Sequence, residues 1–247
     1  MLRQIFFKVM VLTAVPAGIV GTAFAQSNID NTVPNKFGWG ENVGWTNWHD
    51  AGDPDGAQGV IVGGFVLVGF IWAENIGWIN VGDGTPTDDC DGSPCYSTTN
   101  GPETGVNIGA DGTLHGYAWG ENVGWINFDG GALASPAQPA RILCASPPGQ
   151  PLARLTGYVW GENVGWINLS EADPGKFVSV DLAATPLACD VNHDGSKNGE
   201  DIQDFVNFIL TTSADWRDVC SGDQPPMNGV IDLDDVAPFV NCLLTAP

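Results

Sequence analysis

Gly116-Tyr-Ala-Trp-Gly-Glu-Asn-Val-Gly-Trp-Ile-Asn-Phe128 occurs in this chain four times in near-identical form. The other copies are Lys36-Phe-Gly-Trp-Gly-Glu-Asn-Val-Gly-Trp-Thr-Asn-Trp48, Gly69-Phe-Ile-Trp-Ala-Glu-Asn-Ile-Gly-Trp-Ile-Asn-Val81 and Gly157-Tyr-Val-Trp-Gly-Glu-Asn-Val-Gly-Trp-Ile-Asn-Leu169. The shared phrase is aromatic-x-Trp-[Gly/Ala]-Glu-Asn-[Val/Ile]-Gly-Trp-x-Asn, and a repeat this regular governs every other reading. Each copy predicts a β-hairpin: an extended aromatic run, a Gly-Glu-Asn centre, then a second run of aromatic and β-branched residues. Asn42, Asn75, Asn122 and Asn163 can accept positive φ at the tip. Gly44, Gly77, Gly124 and Gly165 leave space for a cross-strand tryptophan. Alternation puts Tyr117 and Trp119 on one face of the first strand, and Trp125 with Val123 and Asn127 on one face of the second.

Counted from Trp39, Trp72, Trp119 and Trp160, the units are spaced by 33, 47 and 41 residues. The variation falls in Gly/Pro/Asp-rich loops at 82–101 and 129–139. Further strands are expected at 59–62, 64–68, 106–108, 140–143 and 177–182, and Asp111-Gly112 is a turn leading into the third hairpin. Residues 26–184 therefore predict an all-β domain of four hairpin units. They must share one core, because a lone hairpin is unstable. A sandwich-like or closed stack and a small four-bladed propeller are both open.

Two readings of the repeated side chains compete. In the first, the tryptophans are core or stacking residues, and Glu and Asn shape the turn through side chain to backbone hydrogen bonds. In the second, Trp39, Trp45, Trp72, Trp78, Trp119, Trp125, Trp160 and Trp166 stack on sugar rings of a polysaccharide. Glu41, Glu74, Glu121 and Glu162 would then bond hydroxyls, giving a lectin-like surface. The repeat resembles short Trp-Glu-Asn-x-Gly-Trp repeats of other secreted bacterial proteins, a resemblance that implies no activity. Four equivalent glutamates in equivalent turns argue against glycosidase chemistry, which needs two carboxyls in unlike environments. No nucleophile-elbow, zinc-protease or P-loop motif is present, and His49, His115 and His193 are solitary in sequence, so an enzyme is not expected.

Met1–Ala25 reads as a secretory signal peptide: Arg3 and Lys8, an apolar stretch, then Ala23-Phe-Ala25. The stretch is too short to span a membrane. Cleavage would leave six basic residues against 29 acidic ones, a net charge of −23. Such a surface repels nucleic acid and anionic lipid. No further apolar segment or sorting tail follows, so a secreted or cell-surface location is expected. All six cysteines lie in the exported part, where disulfides form. Cys90 and Cys95 are close enough for a local bridge. Cys144, Cys189, Cys220 and Cys242 allow three pairings, with one C-terminal cysteine reaching back to Cys144 or one thiol left free.

Composition shifts near residue 187. Asp190-Val-Asn-His-Asp-Gly-Ser-Lys-Asn-Gly-Glu-Asp201 places oxygen side chains at the spacing of a twelve-residue calcium loop, with Gly195 at the bend. Asp190, Asn192, Asp194 and Asp201 would ligate directly, Ser196 through its carbonyl, and Asn198 directly or through water. A helix follows, with Ile202, Phe205, Val206, Ile209 and Leu210 in one stripe. Thirty-four residues later Val236, Phe239, Val240, Leu243 and Leu244 repeat the stripe, so two loop-helix halves should pack face to face. Ser213-Ala-Asp-Trp-Arg217 would form a short connecting helical turn.

This duplicated loop-helix, over residues 187–247, resembles dockerin type I modules. The resemblance implies an EF-hand-like α-helical domain, bound calcium and docking onto a cohesin-like protein. In the second loop Gln224 and Pro226 fall at positions 1 and 3, and Asn228, Gly229, Asp232 and Asp235 keep their places. Asp223 would serve instead if the loop shifts by one residue around Pro225-Pro226. Gly199-Glu200 and Leu233-Asp234 stand where the family carries partner-contacting residues.

Overall fold

The computed structural model describes residues 26–32, 34–90, 92–97, 104–144, 153–171, 176–181, 189–213, 215–224 and 227–245. The expected signal peptide and Pro225-Pro226 lie outside them.

The four copies form four antiparallel hairpins: Phe37–Gly40 with Gly44–Asn47, Leu67–Ala73 with Gly77–Gly82, Leu114–Gly120 with Gly124–Asn127, and Tyr158–Gly161 with Gly165–Asn168. Each hairpin is hydrogen-bonded to the next, and the fourth returns to the first, so eight strands close an antiparallel barrel. The register between neighbours is the same at every junction. Thr46 lies opposite Ala73, Ile79 opposite Gly120, Ile126 opposite Gly161, and Gly40 opposite Ile167. The closed arrangement is thus the one adopted. A propeller and a sandwich are ruled out, because a propeller's blades do not share backbone hydrogen bonds and a sandwich leaves two separate sheets.

Size complementarity explains that register. A Cβ added to Gly161 would stand 2.6 Å from Val164 Cγ2 and 3.4 Å from Ile126 Cγ1, so the position takes only a small residue. The turns are three-residue loops whose positive φ falls on glycine: Gly44 (72°), Gly77 (83°), Gly124 (79°) and Gly165 (75°). The tip asparagines do not take the positive φ open to them. The type I turn with a left-handed fifth residue puts that conformation on glycine, where it costs least.

The motif sorts its side chains between the two sides of the barrel wall. Ile71, Ile79, Ala118, Ile126, Val159 and Ile167 point inward. Val43, Ile76, Val123 and Val164 fold in from the turns and plug one end, while Trp48, Val81, Phe128 and Leu169 fill the other. Val123 therefore does not share a face with Trp125. The motif tryptophans stand on the outer wall, and six of the eight are exposed. The core-residue reading of these rings is overturned, because a narrow eight-stranded interior is already full of aliphatic side chains. The Trp48 indole, at the end of the first motif, lies inside instead, and its Nε1–H donates to Thr46 Oγ1 at 3.1 Å.

Flanking strands appear near 59–62, 106–108, 140–143 and 177–182 as expected, whereas 64–68 leads into the second hairpin's own strand and Arg154–Thr156 and Ser170–Glu171 are additional. Ile61–Val62 extends the second hairpin and Val106–Ile108 the third. Arg141–Leu143, Arg154–Thr156, Lys176–Ser179 and Ser170–Glu171 form a smaller sheet. The C-terminal part carries helices α1 (Asp201–Thr211), α2 (Trp216–Gly222) and α3 (Val236–Leu244). Helix α2 is fastened to the barrel: Trp216 N–H donates to Ala110 O at 2.9 Å, and Trp216, Cys220 and Met227 join the barrel core. All six cysteines pair, as Cys90–Cys95, Cys144–Cys220 and Cys189–Cys242. Three disulfides fit an oxidising compartment. No described helix is long and apolar enough to cross a membrane.

Candidate functional sites

The outer wall is built by strand alternation. In every hairpin the two motif tryptophans are opposed across the strand pair, and three pairs meet as close ring contacts: Trp39–Trp45 at 4.8 Å, Trp72–Trp78 at 4.7 Å and Trp119–Trp125 at 4.6 Å. Trp160 and Trp166 are opposed in the same register. The leading aromatic packs edge-on beside the second ring, as Phe37 on Trp45, Tyr117 on Trp125 and Tyr158 on Trp166. Trp72 and Trp119 lie over Gly77 and Gly124, as the open glycine positions suggested. Cross-strand aromatic pairs of this kind contribute about 0.5–1.5 kcal/mol each beyond area burial.

Each repeated polar residue except one has a visible structural task. Asn42 Nδ2 donates to Val164 O at 3.1 Å, Asn163 Nδ2 to Val123 O at 2.9 Å, and Asn122 Nδ2 to Ile76 O at 2.9 Å. The Asn75 backbone N–H completes the ring on Val43 O at 3.4 Å. The tips are thus stapled hairpin to hairpin around the barrel. The final asparagine of each motif turns the chain off the wall by accepting an N–H two residues on: Asn47 from His49, Asn80 from Gly82, Asn127 from Asp129 and Asn168 from Ser170. Glu41, Glu74, Glu121 and Glu162 are exposed beside the tips. No hydrogen bond or ion pair of their side chains is found among the described residues, so packing gives no reason for a carboxylate there.

The second candidate is the pair of acidic loops. In the first, Asp190 accepts N–H bonds from Asp194 (3.1 Å) and Gly195 (2.9 Å), and Gly195 makes the bend with φ 85°. Asp201 Oδ1 accepts from Val191 and Asn192, and its Oδ2 from Asn198. Asp194 accepts from Ser196 N, and Asn198 Oδ1 from Glu200 N. The second loop repeats this scheme with Asp223 in the place of Asp190. Asp223 accepts from Asn228 (3.3 Å) and Gly229 (2.5 Å), Gly229 has φ 87°, and Asp235 accepts from Gln224 and Asp232. Asp232 caps the following turn through Asp234 N, and Asn228 Oδ1 accepts from Val230 N. Asp223 rather than Gln224 opens this loop. The signal was the one-residue shift, visible in sequence but outweighed there by strict twelve-residue spacing.

Asp190, Asp201, Asp223 and Asp235 are 2%, 0%, 1% and 4% exposed. None of the ion pairs among the described residues includes them. Burial pushes the Asp190 carboxyl above its ordinary range, and the charges of Asp201 and Asp194 add to this. Burial likewise drives Asp223 up to about 6, with Asp235 and Asp232 adding to it. Buried carboxylates without a cation are costly. Among the described residues no group of three or more Asp, Glu, His or Cys side chains is gathered as in a metal site. The loops instead hold their carboxylates apart on backbone N–H groups, which leaves lone pairs of an all-oxygen donor set of the kind a hard divalent cation takes.

The helices after the loops meet at Phe205 and Phe239, stacked at 3.9 Å and 6°. Val191, Ile231 and the half-buried Phe208, Ile209 and Leu243 complete this small core. Burial of the whole stripes is not observed. Ile202, Val206 and Leu210 on α1, and Val236, Val240 and Leu244 on α3, are exposed, because the helices touch along one edge of each stripe. No family model, curated protein or solved structure matches this chain.

Proposed function

We propose that this is a secreted, non-catalytic extracellular protein: a four-repeat β-barrel carrying an EF-hand-like module that binds calcium in two loops. The observation that carries this reading is the pair of equivalent loops, each holding two buried carboxylates that form no ion pair with a basic side chain among the described residues. Asp190, Asn192, Asp194, Asn198 and Asp201, with the Ser196 carbonyl, would hold one ion. Asp223, Asn228, Asp232 and Asp235 would hold the other. Calcium would neutralise the charge that burial penalises, and so stabilise a module whose own core is small. Calorimetric titration of the whole protein should give two sites, with Asp190→Ala and Asp223→Ala each removing one. A wild type that takes up no calcium would end this reading.

The module would tether the barrel to a cohesin-like partner. Ile202, Val206 and Leu210 on α1 and Val236, Val240 and Leu244 on α3 leave apolar side chains exposed, of the kind that marks a protein interface. Retention on an immobilised type I cohesin, lost on chelation and in Val206→Asp, tests the tether; equal retention of that variant would refute it.

A second reading is supported by the outer wall. Six exposed tryptophans with adjacent unbonded glutamates make a surface suited to polysaccharide, whose pyranose faces stack on indole. Its test is retention on insoluble polysaccharide, lost in Trp119→Ala or Trp125→Ala that still fold.

A further inference from the structure

The four valleys between neighbouring hairpins are built from equivalent motif residues, yet they are not equally open. At the junction of the fourth hairpin with the first, the Lys176 ammonium sits 4.8 Å from the ring centroids of both Phe37 and Trp45. In the third, the turn Gly130–Leu133 is pressed against Trp160, where a Cβ on Gly130 would come within 2.6 Å of Trp160 Cβ. The valley between the second and third hairpins is open. It is a groove of about 260 Å3 lined by Gln58, Phe70, Trp78, Asn80, Trp119 and Glu121.

Three features make it a built site. The pairing of the second hairpin slips between Gly69↔Gly82 and Phe70↔Asn80, leaving Val81 as an extra residue. A bulge of this kind bends the strand and re-aims its side chains. The loop carrying Gln58 is pinned to the displaced strand, since Phe70 N–H donates to Gln58 O at 2.9 Å and Gln58 N–H to Ala51 O at 2.8 Å. Gln58, Phe70 and Asn80 also line a second, mainly apolar pocket of about 180 Å3 with Ile61 and Val68. Groove and pocket therefore lie side by side, with Gln58, Phe70 and Asn80 lining both. The Asn80 carbonyl is engaged by Gly82 N–H, and no bond of its NH2 is found among the described residues.

We propose that this groove, with the apolar pocket beside it, binds an N-acetylhexosamine ring of a neutral glycan. The inference rests on the glycan reading of the outer wall and names its site and its sugar. A pyranose with equatorial substituents presents a C–H face that stacks on Trp78 and Trp119. Glu121 accepts its hydroxyls. The acetamido group meets the amides of Gln58 and Asn80, and its methyl enters the apolar pocket beside Ile61 and Val68. A plain glucan offers nothing to that pocket. A polyuronate would set its carboxylates against Glu121 and a strongly acidic protein.

The experiment is calorimetry of the calcium-loaded mature protein with chitohexaose, cellohexaose and hexagalacturonate, using wild type, Trp119→Ala, Gln58→Ala and Trp160→Ala. Chitohexaose should bind about tenfold or more above cellohexaose, the equivalent of about 1.4 kcal/mol, and hexagalacturonate should not bind. Trp119→Ala should lose both neutral hexamers. Gln58→Ala, a loop-surface change that spares the barrel, should bring chitohexaose down to the cellohexaose level. Equal binding of the two neutral hexamers would overturn the acetamido assignment. Loss in Trp160→Ala with Trp119→Ala unaffected would overturn this groove and leave the wider glycan reading standing. Absence of binding to every hexamer and to insoluble chitin and cellulose would end both.

Discussion

Asp223→Asn should have opposite effects on the calcium-free and calcium-loaded protein. In the calcium-free fold the Asp223 carboxyl titrates near 6 against 3.8 for an unperturbed aspartate. Below 3.8 both states hold the proton and the group costs nothing. As pH rises through this window the unfolded chain releases its proton first, so stability falls, and at pH 7.5 the whole penalty is present. At about 1.36 kcal/mol per pKa unit the ceiling is about 3 kcal/mol. Solvent around a surface loop screens part of it, leaving about 2 kcal/mol. Asparagine removes the charge but offers one oxygen to the Asn228 and Gly229 amides, and the lost bond costs about 1 kcal/mol. The net expectation at pH 7.5 in chelator is stabilisation by about 1 kcal/mol, read by urea denaturation, and destabilisation relative to wild type at pH 4. In millimolar calcium the order should reverse, because the variant loses an anionic ligand. Destabilisation of Asp223→Asn in chelator at pH 7.5 would show that the carboxylate stabilises the loop unaided, and would refute the argument.

Phe239→Ala removes half of the stacked Phe205–Phe239 pair in the module core and should cost about 3–5 kcal/mol, visible as early loss of α1 and α3 protection in hydrogen exchange. Asn122→Ala breaks one inter-hairpin staple and should cost about 1 kcal/mol by urea denaturation followed through tryptophan fluorescence. Gly124→Ala forces an L residue to φ 79° in space that is otherwise open, and should cost about 1 kcal/mol by the same assay.

The repeat phrase was enough to place every hairpin, because strand alternation is local, but the positive φ it offered to the tip asparagines falls on the glycines after them. What it could not show is the junction between hairpins. That register depends on Ile126 meeting Gly161 and Ile167 meeting Gly40, pairs that no short window contains. The outward tryptophans follow from the same gap: indole is expected inside until closure leaves an interior only wide enough for isoleucine and valine. The tip asparagines were assigned to their own turns, whereas three of them donate to a neighbouring hairpin. In the module, the first loop was legible because all its oxygens obey one spacing. The second was obscured by a single extra residue, which the backbone absorbs while keeping Asp223 under Gly229. Exposure of half of each helical stripe had no local sign, since periodicity records amphipathicity and not which edge finds a partner.

The pairing Cys144–Cys220 decides how tension would run through the molecule. The barrel's two ends are stitched side by side, Asp30 N–H to Ser179 O and Asp181 N–H to Asn28 O, a short antiparallel seam that would unzip bond by bond if pulled from both ends. A pull on α3 does not reach that seam from the C-terminal side. It runs back along the chain from Cys242 to Cys220, a shorter route than the one through Cys189, and then crosses the disulfide to Cys144. Everything between residues 144 and 220, including the fourth hairpin and the first acidic loop, lies on a slack branch. A protein held by its C-terminal module would keep that loop and that part of the barrel wall unstretched while the remainder bears the strain.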